Sequence, residues 1–197
     1  MSKPRIQNVK PTEYNNISFR SKLEYLTAVI FDKLGIRYLY EPYSIELLEP
    51  FHFRGNFYRK IEYKPDFIIG GNIIIECKGF ETPEWKIKRK LLLHHIYALG
   101  GQLYFHEMHT RKELFDILDS YHKTFGIRIN CSNGKSYNTL NEMLSDLGLE
   151  KKSTSVISSI LGNGKEVNGY TFEYTTEYSD SFDTSIPYKK IKPDSLL

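Results

Sequence analysis

With only two cysteines in 197 residues, Cys77 and Cys131, the chain has no disulfide framework, and no Cys/His spacing in it matches a zinc module. Both are read as reduced thiols. His94, His95, His106 and His109 do not make up the deficit, because neighbouring histidines on a helix point to different sides and no cysteine joins them. No run of about 18 apolar residues occurs, and the opening MSKPRIQNVKPTEYNN holds no apolar stretch fit for a signal-peptide core. A soluble, cytoplasmic protein with no membrane partner is therefore expected. A strong charge of either sign is also missing: 27 Lys and Arg against 24 Asp and Glu leave a formal net charge of +3. That total neither requires nor excludes a polyanion, since local gathering of charge decides. With 40% hydrophobic and 26% charged residues, the chain lies near the globular average, which excludes a fibrous repeat and wholesale disorder.

The length suits one ordinary domain, or a domain of about 120 residues with a small appendage. Residues 1–17 are polar with two prolines and read as an arm. In SFRSKLEYLTAVIFDKLGI, apolar residues at Leu23, Leu26, Ile30 and Leu34 recur at helical spacing, with Ser21 or Ser18 as cap and Gly35 as stop. RYLYEPYSIELLE and NFYRKIEY, flanking a loop-like PFHFRGN, predict an antiparallel ribbon. KPDFIIGG and NIIIECKG are short apolar runs joined across Gly70-Gly71-Asn72, which predicts a hairpin deep in a sheet. Thr82 and Pro83 start a helix that Gly100-Gly101 ends. QLYFHEM is the next strand and RKELFDILDSYH a short closing helix. Beyond residue 124 the texture changes to a strand and turn, two short helices (YNTLNEMLSDLG and STSVISSILG) and a last strand, NGYTFEYTTEY. The expected division is an arm (1–17), a core (18–123), a small module (124–180) and a tail (181–197).

The chemistry is concentrated in the predicted hairpin. Residues two apart on a strand share a face, so Glu76 and Lys78 point together while Cys77 points to the opposite, buried side; the hairpin brings Asp66 beside them. Two carboxylates at one sheet edge are hard oxygen ligands suited to Mg²⁺ or Mn²⁺. A metal there lowers the pKa of bound water and neutralises charge on a phosphoryl transition state, and Lys78 adds a positive charge beside it. Glu24, on the first helix, is the third carboxylate, either a metal ligand or a group that orients one. A charged pair on a strand is often only a solvated face. Here the strand IIIEC is apolar and predicted buried, where unpaired charge is costly.

FRSKLEYLTAVIFDKLGIRYLYE followed by YKPDFIIGGNIIIECKG resembles the phage endonuclease I family of Holliday-junction resolvases, within the PD-(D/E)XK nuclease superfamily. The likeness covers roughly residues 18–106 and includes the FRSxLE helix opening, the PDF strand and the ExKG strand, in that order. It implies a restriction-endonuclease-like α/β core, a mixed sheet flanked by helices. It also implies catalytic roles for Glu24, Asp66, Glu76 and Lys78, with Asp66, Glu76 and Glu24 on the metal. The stretch SYNTLNEMLSDLGLEKKSTSVISSILGNGKEVNGYTF resembles the helix-turn-helix repeats at the tails of intron-encoded homing endonucleases, and the resolvase family lacks this tail in the form seen here.

Candidate DNA contacts follow. Behind Trp85, Lys86, Lys88, Arg89 and Lys90 crowd one helix, and Lys86 and Lys90 share a face as a phosphate rail would, or as an ordinary solvated face does. Lys151, Lys152, Ser155 and Ser158 flank or lie on the second short helix, which a major groove could accept; a capping subdomain that only packs on the core is the alternative. The expected function is Mg²⁺-dependent hydrolysis of DNA phosphodiesters, site-specific in the manner of a homing endonuclease. A structure-selective junction resolvase is the alternative, and a DNA-binding protein without catalysis the third reading. A homodimer is expected, because one such quartet makes one nick.

Overall fold

The computed structural model describes residues 11–177. Two antiparallel strands, β1 (Thr12–Tyr14) and β2 (Ile17–Phe19), precede helix α1 (Lys22–Lys33). The arm reading is thereby corrected for residues 12–17. Their short alternation closes on Asn15-Asn16, both at positive φ, and seats Phe19 in the core against the rings of Tyr40 and Phe67. The prolines upstream and the polar turn concealed the pattern. Residues 1–10, and the predicted tail at 181–197, lie outside the described residues. Helix α1 starts where the Ser21 hydroxyl accepts from the Glu24 amide at 3.1 Å, one orphan donor of the first turn satisfied. Its deepest face runs through Glu24, Thr27, Ala28, Ile30 and Phe31, with Leu34 just beyond; Leu23 and Leu26 are only half-buried.

A four-stranded mixed sheet forms the centre, in the order β10-β9-β8-β3, from β3 (Tyr38–Tyr40), β8 (Phe67–Ile69), β9 (Ile73–Cys77) and β10 (Tyr104–Met108). Strands β8 and β9 are the predicted hairpin; Gly70 and Gly71 at φ +54° and +82° take the left-handed conformation that its tight reversal requires. Strand β10 pairs with β9 in parallel, which needs a crossover, supplied by helix α2 (Pro83–Ala98). Thr82 caps that helix, accepting from the Trp85 amide at 3.1 Å. Every residue of β8 and β9 is buried, so the sheet is covered on both faces. Ile73, Ile75 and Cys77 belong to one hydrophobic cluster with α1, and Ile74 to a second with Trp85, Leu92 and Ile96 of α2 and Tyr63.

The predicted ribbon is longer than expected and differently divided. The first stretch splits into β3, which joins the central sheet, and β4 (Ile45–Leu48), which pairs with β7 (Ile61–Tyr63). The loop-like segment PFHFRGN is instead strand β5 (Phe51–Phe53), joined to β6 (Asn56–Tyr58) by the two-residue turn Arg54-Gly55. Pro50 and Gly55 read as loop residues because the strands they bound are only three residues long.

Helices α3 (Arg111–Ser120) and α4 (His122–Phe125) lead into β11 (Ile127–Cys131), which is flanked by β12 (Ser136–Tyr137) and β13 (Phe172–Thr176). The two predicted short helices are α5 (Leu140–Asp146) and α6 (Ser153–Ser158). One hydrophobic cluster runs from Phe19, Phe31 and Phe67 through Leu114 and Phe125 to Ile129, Leu140, Met143 and Val156. The texture change near residue 124 therefore falls inside a packed core and is no packing boundary. Two polar ties reinforce it: the Thr176 hydroxyl donates to the Leu34 carbonyl at 2.8 Å, and buried Asp119 accepts from the Leu140 and Asn141 amides at 2.8 and 2.9 Å. No described helix is long and apolar enough to cross a membrane.

Asp119→Asn turns one acceptor oxygen into a donor and leaves an α5 amide unpaired. It is expected to cost about 1–3 kcal/mol in denaturant unfolding. Ending the chain near His122 removes more than a third of the shared cluster; the fragment is expected to lack a cooperative thermal transition, and a sharp one would show that residues 18–122 fold alone.

Candidate active site

Continuing the β8–β9 register one step past Phe67↔Ile75 sets Asp66 directly opposite Glu76. Residues two apart share a face, so Glu76 and Lys78 gather on the α2 side, against Tyr63 and Trp85, while the Cys77 thiol meets Thr27 and the other cluster; Asp66, just before β8, meets the Cys77 amide and Arg20. Asp66 and Glu76 are 3% and 2% exposed, and like charges opposed in such a place are strongly disfavoured. The surrounding contacts answer that cost one by one.

Asp66 Oδ2 accepts from the Cys77 amide at 2.8 Å, and its Oδ1 from the Arg20 guanidinium at 3.1 Å. Glu76 Oε2 accepts from the Tyr63 hydroxyl at 2.6 Å, and Oε1 pairs with Lys78 Nζ at 2.5 Å. Lys78 is itself held, its ammonium 4.0 Å from the centre of the Trp85 ring. Arg20 also pairs with Glu41, which Lys64 approaches at 2.7 Å. Glu24, on the α1 side, accepts from the Tyr40 hydroxyl at 2.7 Å and from the Arg20 amide at 3.0 Å, so Arg20 joins it to Asp66 through one residue.

Burial and then the negative charge of Glu76 raise the Asp66 carboxyl to about 7, against the Cys77 amide. Burial raises Glu76 too, opposed chiefly by Lys78 and then by Tyr63. The Tyr63 hydroxyl is pushed well above its usual range by burial and by Glu76, and so stays a donor. Burial thus disfavours the charged form of both carboxyls, and a divalent cation between them would offset that cost. Among the described residues no three His, Cys, Asp or Glu groups converge tightly enough to enclose an ion. A cation here would take Asp66 and Glu76 as its protein ligands and complete its shell with water and phosphate oxygen, which suits Mg²⁺.

Arg20, Tyr40 and Tyr63 were not read from the sequence as site residues. Arg20 lies within FRSKLE and Tyr63 three positions before Asp66, but their roles depend on pairings that only the folded chain makes. Of the cation rail, Lys86 and Lys90 are exposed, with Lys86 3.7 Å from Glu81. Arg89 is bound between Glu81 and Glu107, at 2.6 and 3.0 Å, and Trp85 Nε1 donates to Glu107 at 3.1 Å. Lys151, Lys152 and Ser155 are exposed and Ser158 half-buried; Lys152 donates to Asn168. They belong to the part of the chain packed on the α1 side of the sheet, across from Lys86 and Lys90. Comparison with protein-family models, with curated proteins and with solved structures gives no match to this chain.

Between about pH 4 and pH 7 the folded chain holds a proton on Asp66 that the unfolded chain has released, so stability is expected to fall as pH rises across that window and to level above it. Asp66→Asn is expected to flatten this slope and raise the melting temperature at pH 8. Millimolar Mg²⁺ should stabilise the parent at pH 8 and not Asp66→Asn; melting curves of the parent that ignore Mg²⁺ would remove the cation site.

Proposed function

We propose that the chain is a Mg²⁺-dependent DNA endonuclease of the PD-(D/E)XK kind, with Mn²⁺ as an alternative ion. The observation that carries this reading is the pair of buried carboxylates opposed across a hairpin with a lysine on the same face, an arrangement that stabilises nothing by itself. A bound divalent ion supplies charge neutralisation at the phosphate and a water of lowered pKa. Asp66 and Glu76 would hold the ion. Tyr63, donating to Glu76, and the Cys77 amide, donating to Asp66, each oppose the upward push of burial on the carboxyl they meet and fix its rotamer. Lys78, steadied between Glu76 and the Trp85 ring, is placed to hydrogen-bond the attacking water or a phosphate oxygen. Glu24 fixes Tyr40 and the start of α1, and through Arg20 the orientation of Asp66.

Exposed Lys86 and Lys90 on α2, the helix that carries Trp85, are available to DNA phosphates, while Arg89 acts through the carboxylates it holds. Exposed Lys151, Lys152 and Ser155 by α6, with Ser158 beside them, support a module that reads sequence, hence a site-specific enzyme of the homing type acting as a homodimer. The second reading, a junction resolvase, is favoured by the brevity of α6, six residues with no side-chain cap, as a groove-reading helix.

Glu76→Gln is expected to abolish cleavage while leaving DNA binding nearly intact, because it removes ligand charge and keeps shape. Lys78→Ala is expected to lose at least about a hundredfold in single-turnover rate. The assay offers plain duplex, a four-way junction and a genomic library, first with Mg²⁺ and then with EDTA. Cleavage by Glu76→Gln at the parent rate would sink the assignment, and cutting confined to junctions would replace the homing reading with the resolvase one.

A further inference from the structure

Every residue from Phe51 to Lys60 is exposed, although four of the ten are Phe or Tyr. Phe53 and Phe57 are 56% and 58% exposed, a surface that water does not favour. The rings are organised: Phe51 and Tyr58 stack across the β5–β6 ribbon with centroids 4.9 Å apart and planes 9° from parallel, and on the other face His52 meets Phe57 at 5.0 Å. Arg54 and Arg59 supply positive charge, Lys60 being paired with Glu62 at 2.7 Å, and the segment itself contains no carboxylate. Arg54 occupies the tip at φ +50°, where Asn, Asp or Gly ordinarily stand, so a cation is kept there at a conformational cost; its guanidinium lies 5.2 Å from the centre of the Phe53 ring.

Rings interleaved with cations and free of carboxylates fit a polyanion that presents flat apolar faces, which is what unpaired nucleobases and their phosphates offer. The ribbon is also continuous with the candidate site. It runs through β7 to Tyr63, whose hydroxyl holds Glu76, and the eight residues from Tyr63 back to Gly55 span at most about 26 Å of strand. We propose that the β5–β6 ribbon stacks its aromatic side chains on unstacked or unpaired bases near the scissile phosphate, while Arg54 and Arg59 take flanking phosphates. This rests on the endonuclease reading and assigns the ribbon to unstacked bases within reach of the cut.

The test uses the full chain in EDTA, where it binds without cutting. The DNA probes are a single strand and a three-way branch, each with 2-aminopurine at an unpaired position, and a fully paired duplex. The parent is expected to prefer the first two and to quench their fluorescence. The Phe53→Ser/Phe57→Ser double variant, altered only at exposed positions and checked by its melting curve, should bind them at least about tenfold more weakly, with duplex affinity changed less than about threefold. Arg54→Gly, which relieves the strained φ and so cannot unfold the tip, should weaken binding to all three probes. Equal affinities for parent and double variant on the branched probe would overturn the proposal. So would a parent that sediments as an oligomer which the double variant dissociates while DNA affinity stays the same; the ribbon would then join copies of the chain. Failure of the parent to bind any of the DNAs would remove the endonuclease reading as well, whereas a parent that binds and cuts with unaffected ribbon variants removes the ribbon alone.

Discussion

Asp66 and Glu76 lie close together, almost wholly buried, at the edge of the central hairpin, and much of the surrounding structure answers that constraint. Each carboxylate has one neutral donor and one cation: the Cys77 amide and Arg20 for Asp66, Tyr63 and Lys78 for Glu76. The cations come from different elements. Arg20 binds the start of α1 to β8, and Lys78, lying over Trp85, binds the end of β9 to α2. The elements that cover the two faces of the sheet are thus tied to its charged edge by the groups that offset the charge.

The hairpin could be read from the sequence because its information is local: two isoleucine runs, a Gly-Gly turn and a two-residue charge period are all contained in fourteen residues. Helix α2 was equally legible, since Thr82, Pro83 and Gly100 mark its ends. The rest of the site was not. Arg20 reaches Asp66 across 46 positions, and Tyr63 reaches Glu76 from a strand of another sheet, so neither partnership leaves a trace in spacing. The hairpin before α1 and strand β5 were missed for a different reason, being three-residue strands too short for alternation to stand out beside Pro and Gly. Residues 124–180 were read as a separate module because the texture of the sequence changes near residue 124; burial, which decides membership of a domain, does not follow texture.

The central sheet divides the molecule into two sides with different duties. Cys77 and the odd-numbered isoleucines of β9 serve a dry interior shared with α1, α3 and α5. Glu76 and Lys78 look to the side of Tyr63 and α2, the helix that also carries the exposed Lys86 and Lys90. Because side chains alternate strictly along β9, a slip of one residue in its pairing would put a carboxylate and an ammonium into the apolar cluster and a thiol on the charged face. The same charges that strain the native fold thereby forbid its nearest competitor.

The bond from Thr176 to the carbonyl of Leu34 has a consequence in time. Asp66 and Glu76 are brought together by contacts ten positions apart, whereas β13 meets the end of α1 across 142 positions. Docking β13 therefore carries the larger loop-closure cost, and the core that α1 and β11 share is completed only when that distant segment joins it. Until then the hydrophobic faces of α1 and β11 stand open.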